Sequence, residues 1–205
     1  MPHVAARPLD AAEIPLLHAA NPDPRTRALL WIGLCTGLRV GEIVRLNIQH
    51  VLGPTGAILD ELVLDKAVIL KHGKPRSVPM NPLLRTALNP YLLTLSSLQP
   101  CWPLFQSRIG FHKRLGRRQA MRIVVAAFER AGLDGALSSH SLRKTFASAI
   151  HRRLGQDLAK TQQALAHASP ASTVLYLESC DAQIRDAIRT LYLPEFAPDL
   201  PNIAN

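Results

Sequence analysis

Six polar side chains in this chain are of types that act together on phosphate esters. They are Arg39, Lys71, His140, Arg143, His167 and Tyr176. Most of them fall in the stretch 138–176, where His140 and Arg143 are three residues apart, so that a helix would place both on one face. The same stretch ends with Tyr176, nine residues after His167. The set is suited to attack on a phosphodiester by a phenol.

The chemistry of the phosphodiester explains this choice of residue types. Its two non-bridging oxygens repel nucleophiles and gain charge in the transition state. Guanidinium groups such as those of Arg39 and Arg143 remain charged and match phosphate oxygens bidentately. A phenol with a pKa of about 10 needs help to lose its proton. The sequence shows no cluster of carboxylates suited to a metal, so we expect neither a metal nor another cofactor.

The composition favours a basic, globular, intracellular protein with a nucleic-acid partner. The 205 residues are 47% apolar and carry a net charge of +9, which indicates a polyanionic partner, with nucleic acid ahead of a membrane surface. No signal peptide or membrane span is evident. Three cysteines without CxxC spacing suit a reducing cytosol.

The elements that would position these residues are mostly helices, with a small antiparallel sheet of two or three strands at 57–80. The pattern is mainly α (α+β), with Arg39 at a turn between two helices and Lys71 at the end of a strand. Helices are predicted at about 10–20 (Ile14, Leu16 and Leu17 inward), 25–35, 40–46, 82–97 (kinked or split at Pro90), 118–131 (Met121, Val124, Val125 and Phe128 inward), 141–154, 157–166, 171–177 and 181–191. The final residues, about 195–205, are expected to be a flexible tail.

Four segments resemble the tyrosine recombinase (phage integrase) family in their order and spacing. The segments are TGLRVGEIVRL, LKHGKPRSVP, HSLRKTFAS and LAHASPASTVLY. The family presents Arg, Lys, His-x-x-Arg, His or Trp, and Tyr in this order, and the resemblance extends from about Leu9 to Tyr192. It implies the catalytic-domain (DNA breaking-rejoining) fold and an enzyme that cuts and rejoins DNA strands at specific sites.

The resemblance also implies a role for each residue. Tyr176 would be the nucleophile that forms a 3′-phosphotyrosyl link, and His140 would accept or relay its proton. Lys71 would be the general acid for the departing 5′ oxygen. Arg39 and Arg143 would hold the scissile phosphate. His167 would hydrogen-bond a non-bridging oxygen, and Glu42 would support the site from behind. Because the ester stores the energy for religation, neither ATP nor a metal would be needed.

The sequence departs from the family pattern in three respects. Leu165-Ala166-His167 replaces the usual Leu-Gly-His, and the turn LKHGK makes Lys74 a rival to Lys71 as the acid. The N-terminal core-binding domain usual in the family is absent, so residues 1–205 are interpreted as a single catalytic domain. The chain is either an excised fragment or a short, single-domain member of the family.

The resemblance implies double-stranded DNA as partner, a homotetramer on DNA, a monomer in isolation, and no membrane association. A bacterial, phage-borne or plasmid-borne protein associated with the nucleoid in the cytoplasm is expected. Further contacts to DNA are predicted for Lys74, Arg76, Arg114, Arg117, Arg118 and Arg122. The last helix could dock on a neighbouring protomer or on its own core. Two other functions stay open: a type IB topoisomerase-like monomer, and a DNA-binding regulator that has lost activity.

Overall fold

The computed structural model describes residues 6–69, 75–110, 112–165 and 184–191. The described chain is mainly helical with one two-stranded antiparallel sheet, which confirms the α+β prediction. The helices are α1 (Glu13–Ala19), α2 (Pro24–Thr36), α3 (Val40–Ile43), α4 (Pro82–Leu93), α5 (Arg117–Arg130), α6 (Ser139–Arg153) and α7 (Leu158–Ala164), and residues 184–189 are also helical. The strands are β1 (Glu61–Leu64) and β2 (Arg76–Pro79). None of the helices in these ranges combines the length and apolarity needed to cross a membrane.

Helix α2 lies at the centre of the fold and contacts α4, α5 and α6. The helix carries apolar residues on every face, and ten of its thirteen residues are buried, as expected for a helix that other helices enclose. Asp23 caps its N-terminus by accepting a hydrogen bond from the backbone N–H of Thr26 (2.9 Å). Its C-terminus ends at Gly37, which has a positive φ of 65°.

Helix α6 packs closely against α2 because a glycine lies at the crossing point. A Cβ atom added to Gly33 would lie 2.8 Å from Cδ1 of Leu142. The absence of a side chain at Gly33 therefore lets α6, which carries His140 and Arg143, approach the central helix.

The two strands form an antiparallel hairpin with one face toward the core. Leu62 pairs with Val78, and Leu64 pairs with Arg76. Leu62, Leu64 and Val78 are all buried. Because side chains alternate between the two faces of a strand, Arg76 shares the inward face with Val78. A charged side chain therefore lies on the core-facing side of an otherwise apolar hairpin.

Three details of the helices differ from the sequence predictions. Leu16 and Val125, predicted to point inward, are 54% and 36% exposed. Each lies about 100° around its helix from a buried neighbour, Leu17 or Val124, which already fills the inner face. Helix α4 is not split at Pro90 but ends at Leu93, earlier than predicted.

The helix after residue 183 packs against this chain's own core. Its apolar side chains are buried, and the backbone carbonyl of Leu191 accepts a hydrogen bond from Nδ2 of Asn81 (3.3 Å). The buried side chains are Ile184, Ala187, Ile188 and Leu191. Of the two docking alternatives, the described part of this segment adopts the one within the chain. The predicted helix at 171–177 and the tail at 195–205 lie outside the described residues.

Candidate active site

Arg39 and Glu42 form a unit at the start of α3. The backbone N–H of Arg39 donates to Oε2 of Glu42 (2.8 Å), and Nη1 of Arg39 lies 3.5 Å from Oε1 of the same carboxylate. The side chain of Glu42 is only 4% exposed, whereas that of Arg39 is 43% exposed. Glu42 thus holds the backbone at Arg39 from the protein interior and leaves much of the guanidinium accessible to a ligand.

Arg143 approaches the same region from α6 and is 8% exposed. Its Nη1 donates to the backbone carbonyl of Gly37, two residues before Arg39, and its Nη2 donates to the carbonyl of Leu165 (2.7 Å). Both acceptors are neutral carbonyl groups. They fix the guanidinium in position without neutralising its charge.

The guanidinium groups of Arg39 and Arg143 are close enough to repel each other. Burial, followed by repulsion from Arg39 and Arg76, lowers the pKa of Arg143 to about 10, while Glu42 acts in the opposite direction. A pKa of about 10 still leaves Arg143 charged at neutral pH. The two arginines therefore create a positive potential that an anion such as a phosphate would relieve.

Arg76 belongs to the same cluster, although the sequence suggested only a general DNA contact for it. Burial lowers its pKa, Glu42 raises it, and Arg39 lowers it further. The alternation of ELVL and RSVP could have indicated that Arg76 points inward. The sequence carried no sign that Glu42 and Arg39 would be near enough to affect the pKa of Arg76, because that depends on how the chain folds.

His140 lies in the first turn of α6, one turn before Arg143. Its backbone N–H donates to Oγ of Ser138, the N-cap residue (3.2 Å), and its side chain is exposed. The serine cap fixes where the helix begins. His140 is therefore at the solvent-facing end of the helix whose interior carries Arg143.

The remaining predicted catalytic residues lie outside the described residues. They are Lys71 and its rival Lys74, His167 and Tyr176. The structure thus brings together Arg39, Glu42 and Arg143, adds Arg76, and places His140 on the same helix as Arg143.

The four predicted DNA contacts at or near the start of α5 divide into two groups. Arg114 bonds to its own chain: Nη1 donates to the carbonyls of Val44 (2.7 Å) and Leu46 (3.2 Å), and Nη2 donates to Oδ1 of Asn47 (2.7 Å). This side chain anchors the loop before α5 to the segment that follows α3, and because it is also exposed, its contact with DNA stays a prediction. The other group comprises Arg117, Arg118 and Arg122, which are exposed along the first turns of α5.

The chain has a helical core around α2, a two-stranded antiparallel hairpin and two arginines, one at the start of α3 and one on α6. This is the catalytic-domain fold of tyrosine recombinases, a class of DNA breaking-rejoining enzymes. The chain belongs to the phage integrase family, whose model matches residues 8–183.

Similar proteins include tyrosine recombinase XerD of Bifidobacterium longum, which is 32% identical over 185 residues, 83% of this chain and 54% of that protein. The integrase of mycobacterium phage Brujita has a similar fold, with a TM-score of 0.69 and 22% identity over 96% of this chain and 61% of its own. The XerH recombinase, solved as a post-cleavage complex with its palindromic difH substrate, gives a TM-score of 0.60 and 21% identity over 92% of this chain and 52% of its own. The chain spans about half the length of the XerD relative.

Proposed function

We propose that residues 1–205 act as a single catalytic domain of a site-specific recombinase that cuts and rejoins double-stranded DNA. The reaction proceeds through a 3′-phosphotyrosyl intermediate on Tyr176 and uses neither a metal nor ATP. The proposal rests on membership of the phage integrase family together with one structural observation, the convergence of Arg39 and Arg143 beside the buried Glu42.

The arginine pair supports this chemistry because its charges are positioned before a substrate binds. Arg143 is held by two backbone carbonyls, and Arg39 is held at its backbone by Glu42. Cations fixed in advance stabilise the charge that develops on a phosphate without further reorganisation. In this proposal the two guanidinium groups hold the non-bridging oxygens of the scissile phosphate.

The other roles follow the family order. His140 receives the phenol proton, His167 hydrogen-bonds a non-bridging oxygen, and Lys71 protonates the departing 5′ oxygen, with Lys74 as the alternative acid. The carbonyl that accepts from Arg143 belongs to Leu165, two residues before His167.

Exposed arginines on α5 support DNA binding. Arg117 and Arg118 occupy the first turn of α5, where no acidic residue is present. Cations at a helix N-terminus are disfavoured by the helix dipole, and a bound phosphate would compensate for this. Together with Arg122 they are proposed to contact the DNA backbone. A tetramer on DNA, a monomer without it, and a location on the cytoplasmic nucleoid complete the proposal.

The test is covalent capture of the cleaved strand. Nicked suicide duplexes made from the DNA that flanks the gene lose the short 5′-hydroxyl fragment after cleavage, so the protein stays attached. We expect an adduct on denaturing gels that survives EDTA. It should be absent in Tyr176→Phe and present in the matched control Tyr192→Phe.

Variants of the other residues make the test more specific. Arg39→Ala and Arg143→Ala should each slow adduct formation about 10²-fold or more, the usual cost of losing a group that stabilises the transition state. Comparing Lys71→Ala with Lys74→Ala decides which lysine is the acid. An adduct that persists in Tyr176→Phe would refute the assignment of the nucleophile.

The same experiment separates the two alternative functions. A type IB topoisomerase-like monomer would relax supercoiled plasmids without paired sites. A regulator without activity would bind the duplexes and never form an adduct.

A further inference from the structure

Residues 7–9 form a strap that lies across the start of α6. The backbone N–H of Arg7 donates to the carbonyl of Ala136 (2.9 Å), in the loop that leads into α6. The backbone N–H of Leu9 donates to Oγ1 of Thr145 (2.8 Å), in the second turn of α6. The strap is therefore joined to the chain both before the N-cap of α6 and within the helix.

The side chain of Arg7 adds a second set of contacts between the strap and the loop before α6. Its Nε and Nη2 donate to the carbonyl of Asp134 (3.1 Å and 2.5 Å). Its Nη1 and Nη2 also donate to the two carboxylate oxygens of Glu13, in the first turn of α1 (2.7 Å and 2.5 Å). A bidentate pair of this kind fixes the orientation of the guanidinium. Arg7 thus ties the loop before α6 to the start of α1.

The contact at Thr145 lies in the interior and continues to the N-cap of α6. Leu9 and Thr145 are each 6% exposed. The hydroxyl of Thr145 also donates to the carbonyl of Ser141 (2.8 Å), and Oγ of Ser141 accepts from the backbone N–H of Ser138, the N-cap residue (3.1 Å). Because a buried N–H that loses its acceptor is costly, a change in the strap would disturb the first turn of α6.

His140 lies in the turn that these contacts enclose. Its backbone N–H donates to Oγ of Ser138, so its position follows that of the N-cap. We infer that Arg7 is a positioning residue of the active site: through the strap it fixes the first turn of α6, and with that turn His140. A group that accepts a proton must lie within hydrogen-bond reach of it, and a displacement of about 1 Å can slow a reaction about 10²-fold.

The catalytic part of this inference rests on the proposed function, in which His140 receives the phenol proton. The mechanical part, that the strap holds the first turn of α6, stands on the hydrogen bonds of the fold alone. The two parts are therefore tested by separate experiments.

Amide hydrogen exchange tests the mechanical part without any DNA. The variant is Arg7→Gln. Arg27→Gln is the matched control, because Arg27 is also half-buried and donates to two backbone carbonyls, at and just after the end of α1. Arg7→Gln should speed exchange of the hydrogen-bonded amides of Ser138, His140 and Ser141 at least tenfold relative to those of α2, because the turn opens locally. Arg27→Gln should leave this ratio unchanged, and an unchanged ratio in Arg7→Gln would overturn the inference.

Single-turnover cleavage tests the catalytic part. At saturating protein, Arg7→Gln should slow adduct formation at least tenfold while changing the affinity for uncut DNA by less than twofold. The double variant Arg7→Gln/His140→Ala should be no slower than His140→Ala, because a displaced imidazole and an absent one have the same effect. If the two effects multiply instead, Arg7 does not act through His140 and the inference is wrong. Arg27→Gln should cleave at the normal rate.

The conservative variant Arg7→Lys provides a graded test. A lysine keeps a positive charge opposite Glu13 but cannot form the bidentate pair and also reach the carbonyl of Asp134. Arg7→Lys should therefore lie between the unmodified protein and Arg7→Gln in both exchange and cleavage. Should Arg7→Gln fail to fold, Arg7→Lys should still show at least threefold faster exchange and threefold slower cleavage, and normal values of both would refute the inference.

Three further results would contradict a positioning role for Arg7. If Arg7→Gln weakens DNA binding and reduces its salt dependence by about one charge, Arg7 contacts a phosphate directly. If the rate falls only in proportion to the unfolded fraction, Arg7 acts on stability alone. If cleavage is normal although exchange is faster, His140 keeps its place without the strap. If the unmodified protein forms no adduct, the proposed function and the catalytic part fail together, while exchange still decides the mechanical part.

Discussion

The glycine between α2 and α3 offers the sharpest test of how the fold positions the arginines. Gly37 has a φ of 65°, and its carbonyl accepts a hydrogen bond from Arg143. A Cβ at this position would lie 2.9 Å from Cε1 and 3.1 Å from Cγ of Phe146, and closer still to Cδ1. Phe146 is fully buried. The change Gly37→Ala therefore combines backbone strain with a steric clash in the core.

The two penalties can be estimated separately. A left-handed conformation costs an alanine about 1–2 kcal/mol. Displacing a well-packed buried ring costs about 1–3 kcal/mol. We expect Gly37→Ala to lower the free energy of unfolding by about 2–5 kcal/mol, against the roughly 5–15 kcal/mol typical of a folded domain.

Gly132→Ala is the matched control. Gly132 has a φ of 64°, and an added Cβ meets nothing within 4 Å. It should therefore show the strain alone, about 1–2 kcal/mol. Urea unfolding of both variants measures the difference, and an unchanged m-value would show that the unfolded state is unaltered.

Gly37→Ala should also lose activity beyond its loss of stability. A shift of the Gly37 carbonyl would move an acceptor of Arg143 and the backbone that leads into Arg39. Adduct formation should thus slow at least tenfold under conditions in which the variant is fully folded. If Gly37→Ala were no less stable than Gly132→Ala, the close packing of Phe146 against this turn would be refuted.

Two further predictions concern pH and thiol reactivity. The hydrogen bonds from Arg7 to Glu13 (2.7 Å and 2.5 Å) outweigh burial and hold the pKa of Glu13 below its usual value. The stability that this depressed pKa provides is present above the ordinary value of 4.5 and is lost as the pH falls through the pKa of the folded state. Calorimetry should therefore show that Glu13→Gln lowers Tm at pH 7 and leaves it unchanged at pH 2. An equal loss at both pH values would contradict this. Burial raises the pKa of Cys35 to about 12, whereas Cys101 is exposed. A maleimide added to the folded Cys180→Ser variant should therefore label Cys101, and it should label Cys35 only after urea unfolds the protein.

Local rules account for the parts of the fold that could be predicted from the sequence. A capping side chain and an apolar pattern within a few residues favour a helix, and Asp23, Asn81, Ser138 and Asp157 supply such caps. The same rules placed Arg39 at a turn between helices. The family order of the six polar residues added a catalytic interpretation that no local pattern contains.

Long-range packing decided the parts that could not be predicted. Arg76 and Arg114 are both arginines near turns, yet Arg76 is half-buried on the inward face of the hairpin, whereas Arg114 is exposed and donates to backbone carbonyls. Leu16 and Val125 have the same chemistry as their buried neighbours, and only the position of adjacent helices leaves them exposed.

The sequence by itself determined that this chain is basic, mainly helical and equipped with the residues of a phosphodiester-cleaving site, because composition, caps and periodicity act over a few residues at a time. Only the tertiary structure decided that the carbonyls of Gly37 and Leu165 hold Arg143, that Glu42 is buried beside Arg39, and that Arg76 is half-buried on the inward face of the hairpin. The physical reason is that charges far apart in the chain interact only after the core has packed. The distances between these charges are then fixed by helices and strands that are far apart along the chain.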